Sequence, residues 1–336
     1  MRPTYPFAFL IILLACLLVT NLSIGAVHIP LDQLIQILLG QEVNNDVWKN
    51  IVWDFRMTKA LTCILAGSAL AISGLLMQTL FRNALAGPDV LGLSSGASLA
   101  VSLLILGQSS GIVLLPAHST WTIALAAGAG CALVFVVMFS LATKLRDNVS
   151  LLIVGLMVGA GTSSIVSVLQ YSSRAEDLQT FIIWTFGSLG SLNWNEINVL
   201  LIILLVGSLL AILCVKSLNA WLLGDNYASS IGINLKRSRV IIILSASILT
   251  GGVTAFCGPI AFVGLAVPHL IKIIIKTHNH KILIPAVMIG GSVLLLFCDT
   301  VSQLPGEAKI LPVNAITALI GAPVVIWVIL RNRIVI

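Results

Sequence analysis

Charged residues are scarce in this sequence: Asp, Glu, Lys and Arg make up 9% of its 336 residues, against 58% hydrophobic. A soluble domain carries about 25% charged residues, and no globular core can hide such an apolar excess. With a mean hydropathy of +1.09, most of the chain has lipid as its solvent. That excludes a cytosolic enzyme, a secreted domain and a disordered chain. Cys16, Cys63, Cys131, Cys214, Cys257 and Cys298 stand singly in apolar runs, with no C-x-x-C pair and no metal-ligand spacing, so they read as small packing residues. There is no G-x-x-x-x-G-K-[ST] and not even a Gly-Lys pair, hence no phosphate-cradling loop. Clustered carboxylates, histidines or a nucleophile beside a base are also missing, which argues against a membrane-embedded enzyme. Asp299 is the one acid inside an apolar run; an ion-driven secondary transporter needs a relay of several such groups.

The apolar runs are continuous and do not alternate as barrel strands do. About ten segments suit spanning helices, some shorter than the usual ~20 residues. They lie near 6–27, 57–81, 92–108, 116–143, 149–171, 195–215, 238–256, 259–275, 282–303 and 312–330. The expected fold is all-α, with several spans short or broken, in one transmembrane domain over 1–336. Leu14-Ala15-Cys16 resembles a lipoprotein cleavage site, but the apolar run continues past it, so Phe7 to about Val27 reads as an uncleaved first span.

The net charge of +6 is read as topology, not as nucleic-acid binding. With the N-terminus inside, 13 basic residues fall on inner segments and 5 on outer ones. Asp32, Glu42, Asp46, Asp54, Glu176, Asp177, Glu196 and Glu307 fall outside. This bias predicts an N-in, C-in chain. Residues 29–54 carry Ile29, Leu31, Leu34, Ile35 and Leu38 at helical spacing and predict a helix lying on the outer interface. Trp184 and Trp194 read as interface anchors.

Three stretches stand out chemically. The first runs from the small-residue span Ala66–Gly74 through Met77, Gln78, Asn83 and Pro88 to Gly92, Ser94 and Gly96. Its blander meaning is close helix packing around a tight loop; its functional meaning is a break lining a substrate route. The second, Leu223, Gly224, Ala228 and Gly232 within 216–239, is an inner loop long enough to expect a partner or a lid. The third is Gly258, Pro259, Gly264, Pro268 and His269. No second ligand stands near His269, so a structural histidine is expected there. His278 and His280 read as part of a solvated basic loop. Ala69-x-x-x-Ser73-Gly74 faintly echoes Ser247-x-x-x-Gly251-Gly252, as inverted transporter repeats would.

These stretches together resemble the membrane permease subunit of bacterial binding-protein-dependent ABC importers for iron–siderophores, haem and cobalamin (FecCD-type permeases). The matching patterns are G-x-x-M-Q at Gly74–Gln78, N-P-L-A-x-P-x-x-L-G-x-S-x-G-A at Asn83–Ala97, the coupling loop Leu223–Gly232, G-P-I-x-F-x-G-L-x-x-P-H at Gly258–His269, and Leu311–Trp327. Ala84 replaces the family's usual proline.

The resemblance implies a multi-pass protein of the bacterial inner membrane with a homodimeric pore between two permease copies. It implies separate ATPase subunits that bind ATP and Mg, and a periplasmic or lipid-anchored binding protein. Ferric siderophore is the expected cargo, with cobalamin or haem as alternatives. No cofactor, metal or nucleic acid is expected on this chain. Arg56 and Lys59 would dock the binding protein; a third docking position falls at the neutral Gln303, with Lys309 nearby. The gate residues would fall near Asn148 and Val149.

Overall fold

A computed structural model describes residues 4–25, 27, 29–41, 46–107, 119–144, 148–303 and 311–332. Among these residues the secondary structure is helical throughout. The helices are α1 (Thr4–Ser23), α2 (Leu31–Leu38), α3 (Asp46–Asn50), α4 (Thr58–Phe81), α5 (Leu93–Leu106), α6 (Thr120–Lys144), α7 (Asn148–Ser172) and α8 (Ala175–Thr185). They continue as α9 (Trp194–Leu213), α10 (Val215–Trp221), α11 (Asp225–Ser230), α12 (Leu235–Cys257), α13 (Val263–Ile275), α14 (His280–Gln303) and α15 (Val313–Asn332). Seven described helical segments are long and apolar enough to cross a membrane, and α5, α13 and most of α15 are shorter apolar helices. The expected spans thus reappear, the short ones included.

The expected interfacial helix over 29–54 needs correction. The structure divides it between α2 and α3, and α3 runs through a π-helical turn (Ile51–Met57) into α4 without a break. Asp46–Phe81 is one 36-residue helical rod, roughly 54 Å long at 1.5 Å per residue and far longer than the ~30 Å hydrocarbon layer. No Gly or Pro stands between Asp46 and Gly67, so nothing stops the helix, and the wider π turn absorbs the misfit.

This rod is the axle of the molecule. Its apolar window is 89% buried, against 17% for α1 and for α7. Lipid is no worse a solvent for leucine than a protein core, so helices must be held by close fit and polar contacts. A Cβ on Gly67 would land in the Gly291 carbonyl, and one on Gly74 in the Gly264 carbonyl. At these crossings α14 and α13 lie backbone to backbone on α4. Hydroxyls supply the polar contacts. Ser68 and Ser292 share a hydrogen bond of 2.9 Å, and Ser73 meets Thr250 on α12 at 2.7 Å. The two stretches that echo each other in sequence therefore pack against one another.

Replacing Gly74 by Val is expected to cost more than the about 1–3 kcal/mol of ordinary overpacking, because the obstacle is backbone. Gly128 has nothing within 4 Å of an added Cβ, so Gly128→Ala is expected to leave stability unchanged or slightly raised. Thermal unfolding and size-exclusion profiles of both variants in detergent check this contrast.

Candidate functional site: two interlocked ends

At the end of the bundle where most Lys and Arg gather, the motif stretches close on each other. Pro268 has no N–H, so the Gly264 carbonyl four residues earlier lacks its helical donor, and that carbonyl is the one resting on Gly74. One turn further, Gln78 Nε2 donates to the Leu265 carbonyl at 3.1 Å. Lys272 Nζ donates to Gln78 Oε1 at 3.4 Å. His269 Nε2–H donates to the Ala84 carbonyl at 2.7 Å, so the histidine holds a loop. Met77 fills the interior beside them, fully buried.

The loop that His269 holds begins at Arg82, whose φ of 46° ends α4 in a left-handed turn. Asn83 Oδ1 then accepts from the Leu85 N–H at 2.9 Å, the local turn that Asn favours. Pro88 opens a short 3-10 turn and abuts Gly264, whose added Cβ would meet Pro88 Cδ at 2.7 Å. Ser94 donates to the Asp89 carboxylate, and Gly92 starts α5. Gly96 sits against Gly130 of α6, so the G-x-x-x-G pair serves packing.

The long inner segment at 216–239 folds as α10, the short helix α11 around Ala228 and the start of α12. The six-residue α11 stands between Gly224 at φ 112° and Gly232 at φ 84°. Both conformations favour glycine, and both glycines have open space around them. Ala228 is buried against the body while Leu222, Leu223, Tyr227 and Ile231 are exposed. Asp225, in its first turn, forms an ion pair with Arg82. The coupling segment and the motif loop are thereby tied side chain to side chain. Sequence reading missed this pair because 143 positions separate its members.

His280 is also a correction. It is buried, with its Nδ1–H donating to Asn219 Oδ1 at 2.7 Å and Nε2 lying 2.9 Å from the Thr79 hydroxyl. It is no part of a solvated loop, though His278 is exposed. Among the described residues no group of three His, Cys, Asp or Glu could hold a metal.

At the opposite end, Arg56 departs from expectation. It is buried and donates to the backbone carbonyls of Leu22, Ser23 and Val27. Its guanidinium clamps the exit of α1, so it has no free fork to offer a docking protein. Lys59 forms a 2.9 Å ion pair with Asp299, with 17% of the lysine side chain and none of the aspartate exposed. Asn21 and Gln303 also donate to Asp299, at 2.9 and 2.8 Å. The third docking position thus points inward, and the acid is neutralised and bonded. Lys309 lies outside the described residues.

A cavity of about 430 Å³ opens beside this cluster, lined by Lys59, Asp299, Ser188, Ser191 and Pro312 among others. Its rim is knit by Ser188 N–H to the Cys257 carbonyl and Ala261 N–H to Asn314 Oδ1. Gly258, whose φ is 73°, leads directly into Pro259 at that rim. Trp184 stacks on Phe181 at this end, their ring centroids 6.1 Å apart, while Trp194 opens α9 partly exposed. Of the expected gate residues, Val149 is exposed on α7, and the Asn148 side chain lies outside the description.

Among the described residues these contacts join side chains to backbone carbonyls and to one another. The geometry joins a short surface helix to the main helix crossing of a multi-pass bundle, the class of a membrane permease.

The comparisons give this class its family. The sequence matches the FecCD transport family over residues 11–331. It is 34% identical over 334 residues to the hemin transport system permease protein HmuU of Yersinia pestis, covering 99% of this chain and 97% of that one. It is 32% identical over 285 residues to the vitamin B12 import system permease protein BtuC of Klebsiella pneumoniae, covering 84% and 83%. A solved metal-chelate type ABC transporter in an inward-facing conformation superposes with a TM-score of 0.85 at 26% identity, covering 98% of this chain and all of that one. The chain belongs to the FecCD transport family.

Replacing His269 by Leu leaves the Ala84 carbonyl without its donor. The expected cost is about 0.5–1.5 kcal/mol, read as a lower unfolding temperature. Limited proteolysis should show faster cleavage within the 82–92 loop.

Proposed function

We propose that this chain is the membrane subunit of an ATP-driven, binding-protein-dependent importer for a bulky iron chelate, ferric siderophore first. Haem is the second reading, favoured by the near full-length match to a hemin permease, whereas the vitamin B12 permease matches a smaller share of the chain. The observation that carries the proposal is the joining of α11, through Arg82–Asp225, to the loop and helix crossing at the basic end.

In this reading the basic end is cytoplasmic. ATP and Mg are bound by partner ATPases, whose groove receives the exposed Leu223, Tyr227 and Ile231 around α11. Their closure pushes α11 about its two flanking glycines. Arg82 passes the push to the 82–92 loop, and His269 and Gln78 pass it to α13. A second permease copy covers the exposed apolar face of α7, and the pore lies between the copies, with Val149 and Asn148 at its inner gate. ATP turnover thus biases an equilibrium between outward and inward openings. At the outer end Lys59, at the mouth of the cavity, remains the basic residue offered to an acidic binding protein. Asp299 is committed to Lys59, which leaves the ion-driven reading without its carrier.

Pull-down of the tagged chain from native membranes is expected to recover an ATPase at one copy per permease. Isolation of the chain alone would overturn the importer reading. Uptake of radiolabelled ferric siderophore, haem and cobalamin into cells with and without the chain then ranks the cargoes.

A charge-reversed Arg82→Asp variant is expected to lower uptake per ATP roughly two- to five-fold, the scale of an exposed ion pair, with ATPase assembly intact. Adding Asp225→Arg should restore it. Failure of the double variant to recover would remove the pair from the coupling path.

A further inference from the structure

At the root of the coupling segment a chain of side-chain hydrogen bonds joins α4, α14 and α10. Asn219 of α10 accepts at Oδ1 from the His280 backbone N–H at 2.9 Å, and the same oxygen lies 2.7 Å from His280 Nδ1. A backbone N–H only donates, so this end of the amide is the oxygen and Nδ1 carries a hydrogen. In the neutral ring Nε2 is then the acceptor, and the Thr79 hydroxyl, 2.9 Å away in the last turn of α4, donates to it. At the other end Asn219 Nδ2 donates to Asn279 Oδ1 at 3.1 Å, an oxygen that also takes the Lys281 N–H at 3.0 Å. The donors thus run one way, from α4 through α14 and α10 to the 276–279 loop. His280 is the first residue of α14. N–H groups of a first turn have no partner within their own helix, so Asn219 caps α14 from another helix.

The α10 helix needs this tie. It has 7 residues and follows a break at Cys214 instead of continuing α9. Beside the tie a cavity of about 560 Å³ opens, lined by Asn219, Leu222, Leu223, His278 and Asn279. On that side hydrogen bonds, and not packed side chains, hold α10 to α14. On another side Ser238 of α12 donates to the Ser217 hydroxyl at 2.9 Å. Arg82, about one turn past Thr79, pairs with Asp225 of α11. The two ties close a ring: α4 to α11 through Arg82–Asp225, α11 to α10 along the chain, and α10 back to α4 through Asn219, His280 and Thr79.

We propose that Asn219 and His280 are positioning residues for coupling, holding α10 as the fulcrum about which α11 turns. The inference rests on the importer reading above. A push on α11 reaches Arg82 only if the root of α11 stays in place. Without the tie α10 swings along with α11, and the load leaves the ring before it reaches α4.

Uptake per ATP hydrolysed tests this. The full complex, recovered with its ATPase on the tagged chain, is reconstituted with its binding protein in liposomes. It is given whichever of radiolabelled ferric siderophore, haem and cobalamin the wild type takes up. Asn219→Leu, which leaves two N–H donors unpaired, is expected to lower the ratio roughly three- to ten-fold, the scale of one or two hydrogen bonds, with the ATPase still recovered. Asn219→Asp keeps an acceptor oxygen and is expected to stay near the wild-type ratio. A purely structural role would lower the yield of complex and leave the ratio unchanged. An unchanged ratio in Asn219→Leu, or an equal fall in Asn219→Asp, overturns the inference. If Asn219→Leu does not assemble, Thr79→Val decides, since it keeps the side chain's shape and removes its hydroxyl. The same fall is expected there, and an unchanged ratio again overturns the inference. A wild-type chain that recovers no ATPase fails the importer reading itself, so the two failures are told apart.

Discussion

The crossing of α4 and α13 at Gly74 and Gly264 is the constraint on which the basic end depends. Two backbones meet there with no side chain between them, because a Cβ on either glycine would strike the other helix or its neighbours. Pro268 sharpens the fit by leaving the Gly264 carbonyl without a helical donor at the point of contact. Once the axes are this close, Gln78 can reach the Leu265 carbonyl and His269 the Ala84 carbonyl. Each of these part-buried bonds ties a side chain of one element to the backbone of another. The residues of the two signature stretches are thus supports for one joint.

The opposite end follows the same rule with charges. Burying an ion costs several kcal/mol unless it is paired and its remaining valences are filled. Asp299 is fully buried and receives Lys59, Asn21 and Gln303. Arg56 is buried and spends its guanidinium on three carbonyls where the chain leaves α1. Lys59 differs because part of its side chain remains exposed at a cavity mouth. Basic residues one helical turn apart on the same rod therefore have different uses. One is a clamp, and the other pairs with a buried acid at the edge of a cavity.

Much of this was legible in the sequence, and what was not has identifiable causes. Long apolar runs announce membrane helices, and runs of Gly, Ala and Ser announce close crossings, so α4 and its neighbours could be read directly. His269, in an apolar stretch with no second ligand, was read as structural, and it bonds the Ala84 carbonyl of the 82–92 loop. Pairing across the fold was not legible. Arg56 and Lys59 look alike in sequence, and their difference lies in carbonyls and a carboxylate brought in from α1 and α14. Asn21 was the available signal, a polar side chain at the end of an apolar run. His280 looked like part of a basic loop because His278 and Lys281 flank it, and its burial is set by Asn219, some sixty positions away. The outer rod was misread because amphipathic spacing at 29–38 was carried past residue 45, beyond which a new helix starts.

The strength of the contacts matches the kind of motion a permease needs. The crossing is held by backbone contact and buried hydrogen bonds, worth about 1–3 kcal/mol each when broken, so α4 and α13 move together. The surface helix α11 is held by one buried alanine and an exposed ion pair, worth about 0–1 kcal/mol. Its two flanking glycines have positive φ, and a Cβ added to either would meet nothing within 4 Å. A device that was stiff throughout could not respond to a partner, and one that was loose throughout could not transmit the response. Here compliance is confined to α11 and rigidity to the crossing. Arg82 sits at their boundary, at the left-handed end of α4. In the importer we propose, a displacement of α11 would therefore reach the helix axle through Arg82.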